Sequence, residues 1–152
     1  MRRSGRAFTS ALIAGAFWIG LVPVVEAQSP IRIGASASKT GVYAAAGQER
    51  LRGYQLCVKH TNDKGGVLGR KLELVAEDDR SEPATAVRIY EKLIAQDKVD
   101  LVLGPYSSTI TEPVADVTEK YRMPMMAAGA GATSIFKKGR KFIFMHSCPN
   151  WR

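Results

Sequence analysis

KLELVAEDDRSEPATAVRIYEKLIAQDKVDLVLGPYSS, residues 71–108, is the stretch that decides the fold. It opens on an alternating polar and apolar run, Lys71 to Glu77, which reads as a strand. A polar turn follows, Asp78-Asp79-Arg80-Ser81, whose two carboxylates are expected to face solvent or cap a helix. Ser81 is a candidate N-cap. Pro83 suits a first helical turn, where a missing N–H leaves nothing unsatisfied. From there to about Gln96, Ala86, Ile89, Tyr90, Leu93 and Ile94 recur at helical spacing and make one apolar stripe. Val99 to Leu103 is apolar apart from Asp100, the pattern of a parallel strand covered on both faces. Gly104 to Ser108 is a sharp loop. Strand, helix, strand is the unit from which parallel sheets are built.

The alternation extends both ways. Upstream, Ile31 to Ser36 is a short strand, followed by a loop with Lys39, Thr40 and Gly41. Gln48 to Asp63 reads as a helix with Leu51, Tyr54 and Val58 on one face, closed by Gly65-Gly66, and Gly69 marks a second bend. Cys57 falls in that helix between Leu56 and Val58 and reads as a small core residue, with pairing to Cys148 left open. Downstream, Thr109 and Glu112 have capping-box spacing at the start of a helix that runs to about Lys120. Pro124 to Ala128 is an apolar strand, Gly129 to Thr133 a loop of small residues, and Lys141 to Met145 a last strand. The order implies an α/β fold, a Rossmann-like doubly wound parallel sheet with strand order 2-1-3-4-5. Ligands of such sheets bind outside the carboxyl ends of the strands where the order reverses. That selects three loops: residues 37–47, 104–109 and 129–134.

The chain has 152 residues and a formal charge of +8. Arg2, Arg3 and Arg6 precede an uncharged apolar stretch, Ala7 to Val25, and then Val25-Glu26-Ala27. This is the pattern of a signal peptide, residues 1–27, cleaved after Ala27. Its removal takes three basic residues and one acidic one and leaves 19 basic against 13 acidic in residues 28–152. These charges lie along amphipathic segments with no aromatic-interleaved stripe, which argues against nucleic acid. The one dense run, Lys137, Lys138, Arg140 and Lys141, reads as a solvated loop rim.

The loops carry binding chemistry. Ser107, Ser108 and Thr109 stand at a helix start, where free N–H groups and the positive dipole end hold an anion such as a carboxylate. One of them also has to cap the helix, and the two roles coexist if Thr109 caps and Ser108 faces the ligand. Gly129, Ala130, Gly131 and Thr133 offer backbone groups that a ligand can approach closely, without matching the dinucleotide fingerprint. Tyr43 and Tyr106 lie on the same edge and can stack on apolar ligand parts. No catalytic set converges: His60 is in a helix body, His146 lies past the last strand, and there is no G-x-S-x-G elbow. Nor is there metal-ligand spacing. The expectation is a small-molecule-binding protein that is not an enzyme and has no cofactor.

IRIGAS-x-x-x-TG (31–41), LRGYQL (51–56), NDKGGVLGRKLEL (62–74), EDDRSEPATAVRIYEKLI (77–94), VDLVLGPYSS (99–108) and MPMMAAGAGATS (123–134) follow in order. Together they resemble the first lobe of the branched-chain amino-acid type of periplasmic binding protein, the solute receptors of ABC importers. The resemblance spans roughly residues 31–145. It implies two Rossmann-like lobes that close over an amino acid or amide, a periplasmic location and membrane subunits of an ABC transporter as partners. By position, Ser108 matches the family's carboxylate-binding serine, and Gly129, Ala130 and Gly131 match the loop on the ligand's carboxylate and amino group. Gly131 stands where a hydroxyl residue is usual, with Thr133 or Ser134 as substitutes. Ala46 stands where an aromatic is usual, with Tyr43 three residues earlier to compensate. The chain reads as that lobe cut short, since Pro149 to Arg152 no longer resemble the family. A ligand-sensing ectodomain of a signalling receptor uses the same fold, and a non-functional fragment is the third reading.

Overall fold

In a computed structural model that describes residues 28–145, nine elements alternate along the chain: β1 (Ile31–Ala37), α1 (Ala44–Asp63), β2 (Leu72–Asp78), α2 (Pro83–Ala95), β3 (Leu101–Leu103), α3 (Ser108–Tyr121), β4 (Met125–Ala127), α4 (Thr133–Lys137) and β5 (Ile143–Met145). The leader-like segment 1–27, His146, Cys148 and Pro149 to Arg152 lie outside the described residues. The strands form one parallel sheet in the order β2-β1-β3-β4-β5, as the alternation predicts. Ile31 aligns with Leu72 and Ala37 with Asp78, so β1 and β2 end level, while Ile33 aligns with Leu101 on the other side. Reversal of direction at β1 sends α1 to one face and α2 and α3 to the other.

Packing on the two faces is unequal. The α2 stripe of Ala86, Ile89, Tyr90 and Leu93 is buried and joins Val102, Ile110, Val114, Met125 and Ile135 in one core. Each such large side chain stabilises by about 1.5–3 kcal/mol on burial. On the opposite face, α1 buries only Gly47, and its Leu51, Tyr54 and Val58 are half-buried. Met126 of β4 and Phe144 of β5 stay 40% and 51% exposed there. Cys57 is exposed and is not a core residue: its neighbour in sequence, Leu56, is 54% exposed, so this side of α1 has no covering layer.

Local details differ from the sequence reading in instructive ways. α1 starts at Ala44, about a turn before Gln48, because the N–H of Gly47 already bonds to the Tyr43 carbonyl. Gly47 has to be glycine: a Cβ there would lie 2.2 Å from the Ser38 carbonyl oxygen. Ser81 does not cap α2. It has φ +63, Glu82 takes the N-cap position, and Pro83 opens the helix as expected. Thr109 does not cap α3 either; Ser107 does, accepting the Ile110 N–H at 3.2 Å, and Thr109 lies exposed inside the first turn. The small-residue loop is shorter than read, because α4 begins at Thr133. The basic run is not a uniform solvated rim. The Arg140 side chain is 3% exposed and pairs with Asp116 at 2.6 Å, and Lys138 pairs with Glu112 at 2.6 Å.

Candidate functional site

The carboxyl ends of β1, β3 and β4 bring the three selected loops together. Ser108 is the junction: its Oγ accepts the Ala132 N–H at 3.1 Å, which ties the start of α3 to the loop after β4. Its hydroxyl proton is left to donate. Ser107 caps the helix by accepting the Ile110 N–H, and its hydroxyl proton too is left to donate. Tyr106 precedes it, with its ring 5.8 Å from that of Tyr43 at an interplanar angle of 57°. The aromatics at the ends of β1 and β3 therefore form a tilted pair at the mouth of the crevice. Gly129 lies against the same loop. A Cβ at Gly129 would fall 2.6 Å from the Tyr106 carbonyl and 2.7 Å from Nη2 of Arg50, so only glycine allows this approach. Ala130 turns its methyl into the core, 2% exposed, and can offer only backbone groups outward. Gly131 and Thr133 are half-buried. Ser134 is exposed and donates to Glu112 at 3.2 Å, so of the two hydroxyl substitutes Thr133 is the one not engaged with α3.

The loop after β1 is held by the turn after β2, and here the sequence reading was wrong. Asp79 does not face solvent. It is 0% exposed and accepts from Ser36 Oγ at 2.7 Å, Ser38 Oγ at 2.6 Å and the Ser81 N–H at 2.9 Å. Asp78 accepts the N–H groups of Lys39 and Arg80 at 2.8 and 2.9 Å and the Thr40 hydroxyl at 2.8 Å. Ser81 closes the latch: its Oγ accepts the Tyr43 N–H at 3.0 Å and donates to the Thr40 carbonyl at 2.8 Å. Residues 38–43 are thus fixed by residues 78–81. A latent signal existed in the serines at 36 and 38, which share one side of a strand level with the end of its neighbour.

Burial pushes the Asp78 carboxyl up, but the Arg80, Thr40 and Lys39 donors outweigh it and hold the group below its ordinary value of 3.8. A group depressed in the fold contributes stability above its unfolded pKa and loses it as pH falls through the folded one. Asp78→Asn is therefore expected to flatten the acid limb of stability, with the mutant and native urea midpoints converging between about pH 5 and pH 2. A constant gap across that range would contradict the latch role of the carboxylate.

Arg50 was missed because it reads as one more surface cation of an amphipathic helix. Its guanidinium lies over the Tyr106 ring, 5.4 Å from the centroid, within reach of a cation–π contact. Beneath it, between α1 and the open half of the sheet, is a cavity of about 540 Å³ lined by Ile33, Tyr54, Cys57, Leu103 and Met126, with Arg50 at its rim. The Tyr54 hydroxyl donates to the Gly104 carbonyl at 3.2 Å. Burial raises this phenol above its ordinary range while the Arg50 guanidinium pulls the other way. Among the described residues no group of three or more His, Cys, Asp or Glu is placed to hold a metal, and no helix is long and apolar enough to cross a membrane.

A parallel sheet whose loops meet at its switch point is a scaffold for binding sites of many kinds, and comparison with known proteins gives the family. Residues 30–148 match the family described as periplasmic binding protein. The chain belongs to that family, which is one of solute-binding proteins. It is 34% identical over 134 residues to the Leu/Ile/Val-binding protein BraC3 of Rhizobium johnstonii, covering 88% of this chain and 35% of that protein. It is 32% identical to the leucine-, isoleucine-, valine-, threonine- and alanine-binding protein of Pseudomonas aeruginosa, covering 94% of this chain and 37% of that one. The crystal structure of the branched-chain amino acid transporter substrate binding protein LivJ from Streptococcus pneumoniae, in complex with isoleucine, matches with a TM-score of 0.76 and 31% identity. That match covers 79% of this chain and 34% of LivJ. The chain spans about a third of the length of the curated relatives it matches.

Proposed function

We propose that this chain forms the first wall of the ligand cleft in the extracytoplasmic solute-binding component of an ABC transporter for branched-chain amino acids or related amino acids and amides. The observation that carries the reading is the Ser108 junction. A hydroxyl at the start of a fourteen-residue helix is joined to a loop of small residues, and a helix start offers its dipole and free N–H groups to an anion. Ser108, Gly129, Ala130 and Gly131 hold the carboxylate and amino group, Thr133 adds a hydroxyl, and Tyr43 and Tyr106 cover the apolar part. The relatives named for leucine, isoleucine and valine support the ligand class. The membrane subunits of the transporter are the partner. Residues 1–27 are the signal peptide, so the protein recovered from the periplasm begins at Gln28. No catalytic step is assigned to it.

One wall of a cleft binds weakly. Micromolar affinity requires about −8 kcal/mol, whereas an anion at a helix N-terminus contributes about 0.3–2 kcal/mol. Titration of the ¹⁵N-labelled chain with leucine, valine and leucinamide is expected to shift the amides of Ser108 and residues 129–133 at millimolar concentrations. Leucinamide, lacking the carboxylate, is expected to act least, and Ser108→Ala to abolish the response. Calorimetry giving micromolar affinity would refute the one-wall reading, and equal shifts from leucine and leucinamide would remove the carboxylate site.

A further inference from the structure

Arg80 and Ser81 are two consecutive residues in the left-handed region, with φ of +55 and +63. Leu68, Lys98 and Arg122, the other non-glycine residues with positive φ among those described, stand singly. The Glu82 N–H closes the turn on the Asp79 carbonyl at 2.9 Å. A β-turn with both central residues left-handed is ordinarily built from glycine, Asn or Asp, because a Cβ crowds the following carbonyl and only short polar side chains compensate locally. An arginine followed by a serine therefore strains this turn. Such strain persists where surrounding contacts over-determine it, and it points to a task for the residue that bears it. Arg80 is exposed, whereas Ser81 is half-buried and bonded through its side chain.

The carboxylates of Asp78 and Asp79 hold the loop after β1 only as far as Thr40. Ser81 carries the hold across Gly41 to Tyr43, accepting the Tyr43 N–H at 3.0 Å and donating to the Thr40 carbonyl at 2.8 Å. Gly41 allows this approach, since a Cβ there would lie 2.5 Å from the Arg80 carbonyl and 2.7 Å from Ser81 Oγ. Glycine at position 81 would relax the turn but could not reach Tyr43; serine keeps the bond and strains the turn. Tyr43 is the residue whose ring meets that of Tyr106 at 5.8 Å, while its neighbour Val42 is 87% exposed. We propose that Ser81 is a positioning residue for the apolar part of the ligand. It holds Tyr43 beside Tyr106 and so sets the preference of the cleft for branched over small amino acids. This rests on the binding reading above and adds to it a specificity-determining residue outside the three ligand loops.

The test titrates the full ¹⁵N-labelled chain with leucine and with free glycine, which has the same carboxylate and amino group but no side chain. The amides of Ser108 and Gly131 report binding. Leucine is expected to half-saturate at about fivefold lower concentration than free glycine, the ratio that partial burial of its side chain supplies. Ser81→Ala and Ser81→Gly should each raise the leucine value to near that of free glycine, leave free glycine where it was, and speed exchange of the Tyr43 amide. Their urea midpoints should part. Ser81→Gly relaxes the backbone and should stay near the native protein, while Ser81→Ala keeps the strain and should fall below it. Arg80→Gly, which relaxes the turn and keeps the hydroxyl, should raise the midpoint and leave the leucine preference intact. If the native chain takes both compounds alike, if the preference survives in both Ser81 variants, or if free glycine weakens as much as leucine, the positioning role is overturned and the carboxylate site at Ser108 stands. If neither compound moves Ser108 or Gly131 in the native chain, both fall.

Discussion

Asp79→Ala is expected to destabilise the domain by about 3 kcal/mol, one of the two largest effects of any single substitution considered. The carboxyl is fully buried and accepts three hydrogen bonds, from Ser36 Oγ, Ser38 Oγ and the Ser81 N–H. The hydroxyls can turn to other acceptors after truncation, but the Ser81 N–H cannot, and a void is left beside it. Asp79→Asn keeps the volume and loses less, because its carbonyl still accepts while its NH₂ group opposes one donor. The damage is also local. Residues 38–43 should lose amide-exchange protection beyond the global loss, since Ser38 is anchored directly and Thr40 and Tyr43 through Ser81. Urea denaturation within about 0.5 kcal/mol of the native protein, the range of ordinary surface substitutions, would show that the latch does not hold the loop.

The contrast between what the sequence showed and what it hid follows the range of the interactions. Strand order and the three loops were legible because each rests on a local pattern. One example is the stripe from Ala86 to Leu93; another is the apolar run ending at Leu103. Chirality of the crossovers did the rest. The resemblance to periplasmic binding proteins used those same segments, and the family match over residues 30–148 bears it out. What escaped was set by partners far along the chain. Asp79 looked solvated because its own neighbours are polar, yet its partners lie 41 and 43 positions upstream. Cys57 looked buried because Leu56 and Val58 flank it, yet burial depends on what covers α1, and that side is open. The cap of α3 moved from Thr109 to Ser107 because two serines and a threonine in a row fit the position equally by type, and only the turn geometry chooses. Arg52 has Glu49 three positions away, the spacing of a helical ion pair, and Arg50 has no carboxylate at three or four positions, but nothing in that spacing says that Arg50 would lie over Tyr106.

Tyr90 carries the other large effect, and it tests whether the β1–β3 switch point is braced from the α2 face. Its side chain is 0% exposed, its hydroxyl donates to the Leu103 carbonyl, and it accepts the Ser36 N–H at 3.3 Å. One phenol therefore joins the ends of the two strands between which the crevice opens. Tyr90→Ala removes a fully buried ring and is expected to cost about 3–5 kcal/mol. Tyr90→Phe keeps the ring and is expected to cost about 1–2 kcal/mol, since the buried Ser36 N–H and the part-buried Leu103 carbonyl lose this partner. Burial pushes the phenol far above its ordinary value of 10.0, because ionisation would place a charge among apolar side chains. A raised folded pKa gives stability that is complete below the unfolded value and drains away as pH climbs above it. The native protein should therefore weaken above about pH 10 more steeply than Tyr90→Phe, which has no phenol to ionise on unfolding. Urea midpoints of the two proteins across that range decide the matter: parallel curves would mean that the Tyr90 hydroxyl reaches water, and that the strand ends at the crevice are held by the sheet bonds alone.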